Sequence, residues 1–198
     1  MNVKKISAVW LLVVIAFFLV SGCSTSSTIS SVIEPTKEQK KIVLAWGDKP
    51  EWTDHLIAEI DKAKWNPAIE NPCKTVGLKE CLAQILSIMA KYESSFNPKR
   101  EFKENFKDSK GNWVVSRGLF QLSIESANQK AYGCGFKTEQ EIHEPLKNIS
   151  CMVKIANHWL NKDLVFFGGT KLGLGRYHSV ARASSDSYPK ILKYMEGY

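Results

Sequence analysis

The strongest constraint on the fold is a run of apolar residues at helical spacing that ends on an acidic residue. Leu82, Ile85, Leu86 and Met89 recur every three or four positions, which places them on one face of a helix. Four residues further on, the same face carries Glu93. A carboxylate on a face that packs against a core is unusual, because charged side chains are rarely buried.

The residues after Glu93 predict that it lies at the end of its helix. Ser94, Ser95, Asn97 and Pro98 follow, and they are typical of a helix end. Burial and the negative end of the helix dipole both disfavour an ionised carboxylate there. A carboxyl group that keeps its proton near neutral pH is suited to general acid catalysis. Periodicity alone leaves open a simpler interpretation, in which the side chain points into water or pairs with a lysine.

Two sequence blocks give this region a resemblance to a known family. The first reads Glu-Ser-Ser-Phe-Asn-Pro at positions 93–98, and the second reads Ser-Arg-Gly-Leu-Phe-Gln-Leu-Ser at positions 116–123. In order and separation they resemble the soluble lytic transglycosylases and their goose-type lysozyme relatives, whose pattern is E-S-x-F-x-P and then G-L-M-Q plus an aliphatic residue. The resemblance covers about residues 78–180. It implies a mainly α-helical, lysozyme-like domain with a small β-hairpin or loop bordering a substrate groove.

The resemblance also implies an activity. A lytic transglycosylase cleaves the β-1,4 bond between N-acetylmuramic acid and N-acetylglucosamine in peptidoglycan and leaves a 1,6-anhydro product, with Glu93 as general acid and then base. One carboxylate suffices because the nucleophile is a hydroxyl of the substrate, whereas ordinary glycoside hydrolysis uses a pair. Two alternatives stay open, a hydrolytic goose-type muramidase and a non-catalytic peptidoglycan-binding lipoprotein of the envelope.

By the same resemblance, residues in and near the two blocks are expected to bind the glycan strand. They are Ser94, Gly118, Leu119, Phe120, Gln121 and Tyr177. A glycine lets the backbone approach substrate closely, and the amide of Gln121 is suited to bonding sugar amides and hydroxyls. Phe120 and Leu122 are also suited to the core.

The third motif of the family, A-Y-N-A-G, is altered in this chain. Positions 175–179 read G-R-Y-H-S, so that His178 stands where the family has asparagine. Tyr177 is suited either to hydrogen-bond and position Glu93 or to be a half-buried aromatic, and we place His178 in a structural role or at the groove rim. This departure is the best argument for the non-catalytic alternative.

A polar insert separates the two blocks. We predict a small hairpin or loop, with a turn at Lys110–Asn112 and an extended run at Trp113–Val115. Glu101, Glu104 and Asp108 are the candidates there for a second catalytic carboxylate. None lies on an apolar stripe, which favours solvent-exposed charges.

Periodicity and capping residues predict the remaining elements. Helices are expected at about residues 51–65, 78–92, 124–131, 138–143, 145–162 and 188–198, and a glycine-rich loop at 166–176. Ser123 is predicted to cap the third helix, and Thr138 with Glu141 to form a capping box on the fourth.

The N-terminus resembles a bacterial lipoprotein signal peptide. Lys4 and Lys5 precede an almost wholly apolar run, and Leu-Val-Ser-Gly-Cys closes it at Cys23. We expect residues 1–22 to be removed, Cys23 to be lipidated, residues 23–36 to form a flexible tether, and residues 37–198 to form one lysozyme-like domain. Ser24 favours the outer membrane facing the periplasm. The alternative is an ordinary cysteine behind an uncleaved anchor.

Four further cysteines remain, and an even number in an exported domain suggests disulfides. Of the three possible connectivities we favour the pairs nearest in sequence, Cys73 with Cys81 and Cys134 with Cys151. No C-x-x-C spacing occurs and the four histidines are scattered, which argues against a metal site. No cofactor is predicted.

Charge narrows the class of partner. The chain carries +7, and without its first 22 residues it has 25 basic against 20 acidic residues, or +5. That excess suits an anionic polymer such as peptidoglycan, or an anionic membrane surface. Export and the absence of a long basic cluster disfavour nucleic acid. The sequence identifies no protein partner.

Overall fold

The computed structural model describes residues 42–169 and 171–198, which form a mainly helical domain with two small antiparallel hairpins. Its helices are α1 (Pro50–Lys62), α2 (Leu78–Ser94), α3 (Ile124–Ala127), α4 (Glu139–His143), α5 (Pro145–Asp163) and α6 (Tyr188–Met195). Its strands are β1 (Glu101–Lys107), β2 (Trp113–Arg117), β3 (Phe167–Gly168) and β4 (Leu172–Gly173). Two 3-10 turns, Leu174–Arg176 and Ser179–Ala181, lie between β4 and α6. The predicted fold class is confirmed.

The core is built around α2. Every residue from 81 to 90 is buried, so the helix is surrounded on all sides rather than along one face. Helices α1 and α6 pack against it, and α5 packs against α1. The apolar stripe that predicted the helix is therefore only part of its buried surface.

Two polar residues in the middle of α2, Gln84 and Ser87, are buried with it, and both are hydrogen-bonded. The Gln84 amide donates to the carbonyl of Val43 (3.0 Å) and accepts from the Tyr194 hydroxyl (2.9 Å). The Ser87 hydroxyl donates to the carbonyl of Gln84 (2.8 Å) and accepts from the amide of Ala45 (3.0 Å). Because buried polar groups are costly unless paired, these bonds let a helix with polar positions occupy the centre of the domain.

The predicted helices are present, with differences at their ends. The structure extends α2 to Ser94, so Glu93 lies in its last turn. Helix α3 ends at Ala127 instead of position 131, because the side chain of Asn128 binds both backbone groups of Phe136 and turns the chain. The predicted caps of α3 and α4 are present, including the capping box. The predicted loop at 166–176 contains the second hairpin and a 3-10 turn.

The polar insert forms the antiparallel hairpin β1–β2. Its register pairs Glu101 with Arg117 and Lys107 with Trp113, with an irregularity between them. Asp108 closes the turn by accepting hydrogen bonds from the backbone amides of Lys110 (2.9 Å) and Asn112 (2.8 Å). Aspartate favours turns because its side chain bonds to nearby backbone in this way.

Both predicted disulfides are present. Cys73 bonds to Cys81 and Cys134 to Cys151. The first ties the segment before α2 to the first turn of that helix, and the second ties the segment after α3 to α5.

The proposed signal peptide, Cys23 and the tether lie outside the described residues. Among the residues that are described, no helix is both long and apolar enough to cross a membrane.

Gly118 is a closely packed glycine in the second sequence block, and replacing it gives a test of the fold. Its φ is +77°, and an added Cβ would lie 2.4 Å from Nδ2 of Asn148 and 2.5 Å from the carbonyl of Ile142. We expect Gly118→Ala to lower the free energy of unfolding by about 2–4 kcal/mol, because backbone strain adds to overpacking. Urea denaturation measures this change.

The matched control is Gly111→Ala. Gly111 has a similar φ of +85°, but an added Cβ meets nothing within 4 Å. We expect the free energy of unfolding of this variant to fall by only about 1–2 kcal/mol, the cost of backbone strain. Equal losses in the two variants would contradict the packing role of Gly118.

Candidate active site

Glu93 lies in the last turn of α2, where it borders a groove. Its side chain is 11% exposed. The helix ends at once, because Ser95 adopts a left-handed conformation (φ 57°) and its amide closes the last turn on the carbonyls of Ala90 and Lys91. The acid therefore stands at the boundary between the core and a surface groove, as the apolar stripe predicted.

The groove has a volume of about 630 Å³. The structure brings to it residues from α2, the β1–β2 hairpin, α3 and the segment after β4. Its lining includes Glu93, Glu104, Phe106, Gln121, Ser126, Tyr132, Arg176, Tyr177, His178 and Arg182. Among residues 42–169 and 171–198, no cluster of His, Cys, Asp and Glu is arranged to bind a metal ion.

The direct partner of Glu93 is His178. Its Nδ1 lies 2.9 Å from Oε1 of Glu93, and its Nε2 lies 2.8 Å from the sulfur of Met152. His178 is only 3% exposed, so the placement at the groove rim was wrong. The 3-10 turn before it and the second turn after it hold the ring beneath the groove.

Tyr177 lines the groove as a half-buried aromatic and does not bond Glu93, so the second of its two expected roles is the one observed. Its hydroxyl is buried and has no hydrogen-bond partner among the described residues. Burial raises the pKa of Tyr177 to about 12. The phenol is therefore a neutral, unpaired donor beside the acid at any physiological pH.

Gln121 lines the same groove. Its Nε2 donates to the carbonyls of Gly118 (2.9 Å) and Arg100 (3.1 Å), which fixes the amide. Its Oε1 is buried and has no partner among the described residues. Gln121 also has a positive φ of 47°, a conformation that is uncommon for this residue type.

Four residues predicted to bind the glycan lie in the interior instead. Leu119 and Phe120 are fully buried, and Ser94 is 1% exposed with its hydroxyl bonded to the carbonyl of Ala90 (3.1 Å). Gly118 is packed against Asn148 and does not meet the groove. These four residues do not line the groove in this structure, so their contact with substrate stays a prediction.

Of the three acids in the insert, Glu104 is the one best placed to act beside Glu93. It is the single half-buried residue of β1, and its carboxylate accepts a hydrogen bond from the Ser116 hydroxyl (2.6 Å). Glu101 lies outside the groove, bonded to Arg117 and His143. Asp108 borders the groove but is engaged in its own turn, and the bond from the Asn112 backbone lowers its pKa.

Sequence reasoning also missed residues that come from unrelated segments. Arg176 lines the groove while its guanidinium binds Asp163 (2.5 and 2.8 Å) and stacks on Trp159. Tyr132 lines it and accepts a hydrogen bond from the Trp159 indole (2.9 Å). No local pattern around these residues distinguishes them from ordinary core or surface positions.

The fold and the site together define a lysozyme-like helical domain with a mostly buried glutamate at a polar groove. No family model and no curated protein matches the chain. Solved structures of the Bdellovibrio protein Bd0314 DslA do match. One Glu-to-Gln variant is 34% identical with a TM-score of 0.70, covering 79% of this chain and 96% of that one. A wild-type form is 34% identical with a TM-score of 0.68, covering 78% and 95%. The chain therefore belongs to the family of Bd0314 DslA.

Asp163 gives a test of the segment that carries Tyr177 and His178. Its side chain is 5% exposed and also accepts from the amide of Gly173 (2.8 Å). The bonds from Arg176 lower the pKa of Asp163, so the ionised form stabilises the fold above its ordinary pKa, and this stability is lost as the pH falls through the folded value. We expect Asp163→Asn to lower the free energy of unfolding by about 1.5–3 kcal/mol at pH 7. The variant should also lose less stability than wild type below about pH 4.

Urea unfolding at pH 7 and at pH 3 measures both effects. Asp186→Asn is the control, because Asp186 is exposed in the same part of the chain. Identical acid sensitivity in wild type and Asp163→Asn would contradict the role of the Asp163–Arg176 pair.

Proposed function

We propose that this chain cleaves glycosidic bonds in the glycan strands of peptidoglycan, with Glu93 as the general acid. The observation that carries the proposal is the placement of Glu93, which is 11% exposed, bonded to a buried histidine and open to a groove of about 630 Å³. A carboxyl group largely withdrawn from water can keep its proton and deliver it to a bound glycosidic oxygen.

The substrate follows from the resemblance. The blocks at positions 93–98 and 116–123 resemble those of enzymes that cleave the β-1,4 bond between N-acetylmuramic acid and N-acetylglucosamine. The groove supports a polar ligand of this kind. Gln121 and Tyr177 line the groove. Amide and phenol side chains are suited to hydrogen-bonding sugar hydroxyls and acetamido groups.

Glu104 favours hydrolysis as the course of the reaction. Hydrolysis uses a second carboxylate that either activates water or forms a glycosyl intermediate, and Glu104 borders the same groove as Glu93. The family supplies a second argument. The Bd0314 DslA structures include two Glu-to-Gln variants whose replaced positions are eleven residues apart, and Glu93 and Glu104 are also eleven residues apart. A hydrolytic, muramidase-type cleavage is therefore the reaction that the groove supports best.

Lytic transglycosylation is the second candidate, because the E-S-x-F-x-P block resembles the transglycosylases. In that reaction Glu93 protonates the glycosidic oxygen and then, as a carboxylate, takes the proton of the muramyl C6 hydroxyl, whose oxygen closes onto C1. Glu104 would then have no chemical role. A non-catalytic wall-binding protein is the remaining alternative.

We also propose that the protein is anchored in the cell envelope by lipid on Cys23, as the N-terminal sequence predicts. An anchor of this kind would place the groove beside peptidoglycan. With Ser24 after the cysteine, the expected site is the outer membrane facing the periplasm.

Product analysis after incubation with peptidoglycan sacculi tests the reaction. We expect soluble fragments with free reducing ends, detected by mass spectrometry before and after borohydride reduction. Glu93→Gln and Glu104→Gln should each lower the rate by about 10²–10⁴-fold, because each removes one proton-transfer or nucleophilic group. Glu51→Gln, on the exposed start of α1, is the control and should retain the wild-type rate.

Other products would change the assignment. Anhydro-muropeptides, with Glu93→Gln inactive and Glu104→Gln active, would establish the transglycosylase. No products from any variant, with wild-type binding to sacculi, would leave a tethered wall-binding protein.

Replacing Cys23 tests the anchor. We expect Cys23→Ala to move the protein from the membrane fraction to the soluble fraction, because a lipidated cysteine supplies membrane affinity through its acyl chains. Fractionation followed by immunoblotting measures the distribution, with Ser26→Ala as the control. Retention of Cys23→Ala in the membrane would indicate an uncleaved apolar anchor instead.

A further inference from the structure

We infer that Glu93 and His178 share a single proton, and that Met152 enforces this arrangement by holding the other imidazole proton on Nε2 of His178. His178 is then a positioning residue, which holds the carboxyl group of Glu93 in one orientation. The inference takes its catalytic meaning from the proposed function, but the position of the protons can be measured without any activity.

The imidazole has two contacts on opposite edges. Nδ1 lies 2.9 Å from Oε1 of Glu93, and Nε2 lies 2.8 Å from the sulfur of Met152. Phe120 and Tyr177 pack beside the ring, at centroid distances of 6.4 and 4.9 Å. With 3% of the residue exposed, water has little access to either nitrogen.

The sulfur determines which nitrogen carries the proton. A thioether has lone pairs and no hydrogen to donate, so it can only accept. Nε2 must therefore donate to Met152, since two facing lone pairs would repel each other in a buried site where an unmade hydrogen bond is costly. Met152 is itself fully buried, so the sulfur has a fixed position.

With its proton on Nε2, a neutral imidazole presents the lone pair of Nδ1 to Glu93. The contact is a hydrogen bond only if one proton lies in it, either on the carboxyl oxygen or on Nδ1. Removing that proton leaves a carboxylate facing a lone pair. That arrangement leaves two lone pairs facing each other in a buried site, which the unmade hydrogen bond disfavours.

The other charged groups that face the pair across the groove comprise as many acids as bases. The acids are Glu104 of β1, Asp108 of the hairpin turn and Glu125 of α3, and the bases are Lys107, Arg176 and Arg182. The bases keep their charge over the range in which a histidine titrates. Tyr177 and Tyr132 stay neutral there, because burial raises the pKa of both phenols.

Nitrogen-15 NMR of histidine-labelled protein tests the tautomer directly. The chain has four histidines, and the His178 signals are assigned by their loss in His178→Asn. We expect Nε2 to remain protonated throughout the titration while Nδ1 changes with pH. A neutral state with the proton on Nδ1 and none on Nε2 would overturn the inference, whether or not the protein is an enzyme.

The pH dependence of kcat/KM tests the consequence. His178→Asn places an amide that can donate to the carboxylate, and Met152→Leu removes the sulfur at nearly constant volume and frees Nδ1 to donate. We expect the basic limb of the pH profile of kcat/KM to move about one pH unit lower in both variants, so that kcat/KM above this limb falls about tenfold. If both variants fold and the basic limb of their kcat/KM profile lies at the same pH as in wild type, proton sharing is contradicted.

Discussion

The side chain of Asn148 holds together the elements on which the candidate site depends. It is fully buried, its Oδ1 accepts from the amide of Phe120 (2.9 Å), and its Nδ2 donates to the carbonyl of Ile142 (2.9 Å). One amide thus joins α5, the end of α4 and the turn after β2. The same turn presents Gln121 to the groove, and its Phe120 packs beside the ring of His178. An apolar residue at 148 would leave buried backbone groups unpaired at a cost of about 1–3 kcal/mol each, so the junction needs an amide.

Most of the fold could be predicted because it depends on local sequence. The period of apolar residues placed α2 and α5, and the serine and threonine caps placed α3 and α4, since each signal comes from contacts within one element. The position of Glu93 followed from the same period. The disulfides followed from sequence proximity. The ends of α3 and α6 were wrong because they are set by tertiary contacts, as at Asn128, that no local pattern records.

The parts of the site that could not be predicted are contacts between distant segments. His178 hydrogen-bonds Glu93, from which it is separated by 85 positions in the sequence. This contact was one of the two roles expected of the neighbouring Tyr177. The chain after the 3-10 turn instead directs His178 toward Glu93 and Tyr177 toward Tyr132. Glu104 was indistinguishable from Glu101 and Asp108 in a polar insert without an apolar stripe. The strand separates Glu104 from Glu101, because only Glu104 is half-buried in β1. Asp108 differs because its carboxylate is bonded within the hairpin turn. Leu119 and Phe120 lie in a buried turn and therefore do not line the groove.

The carboxylates of Glu93 and Glu104 border the groove but belong to different kinds of element. The distance between them therefore depends on how the second element is fixed relative to the first. Glu93 stands on a helix buried on all sides, whereas Glu104 stands on a hairpin of which Phe102, Phe106 and Trp113 are exposed. The hairpin is fastened at its base by Arg117, which is 8% exposed and bonds Glu101 and Glu139. The distance between two such carboxylates determines the stereochemical course of glycoside hydrolysis. In the proposed reaction, Arg117 would therefore govern the course without touching the substrate, because it sets the hairpin that carries Glu104 against the fixed position of Glu93.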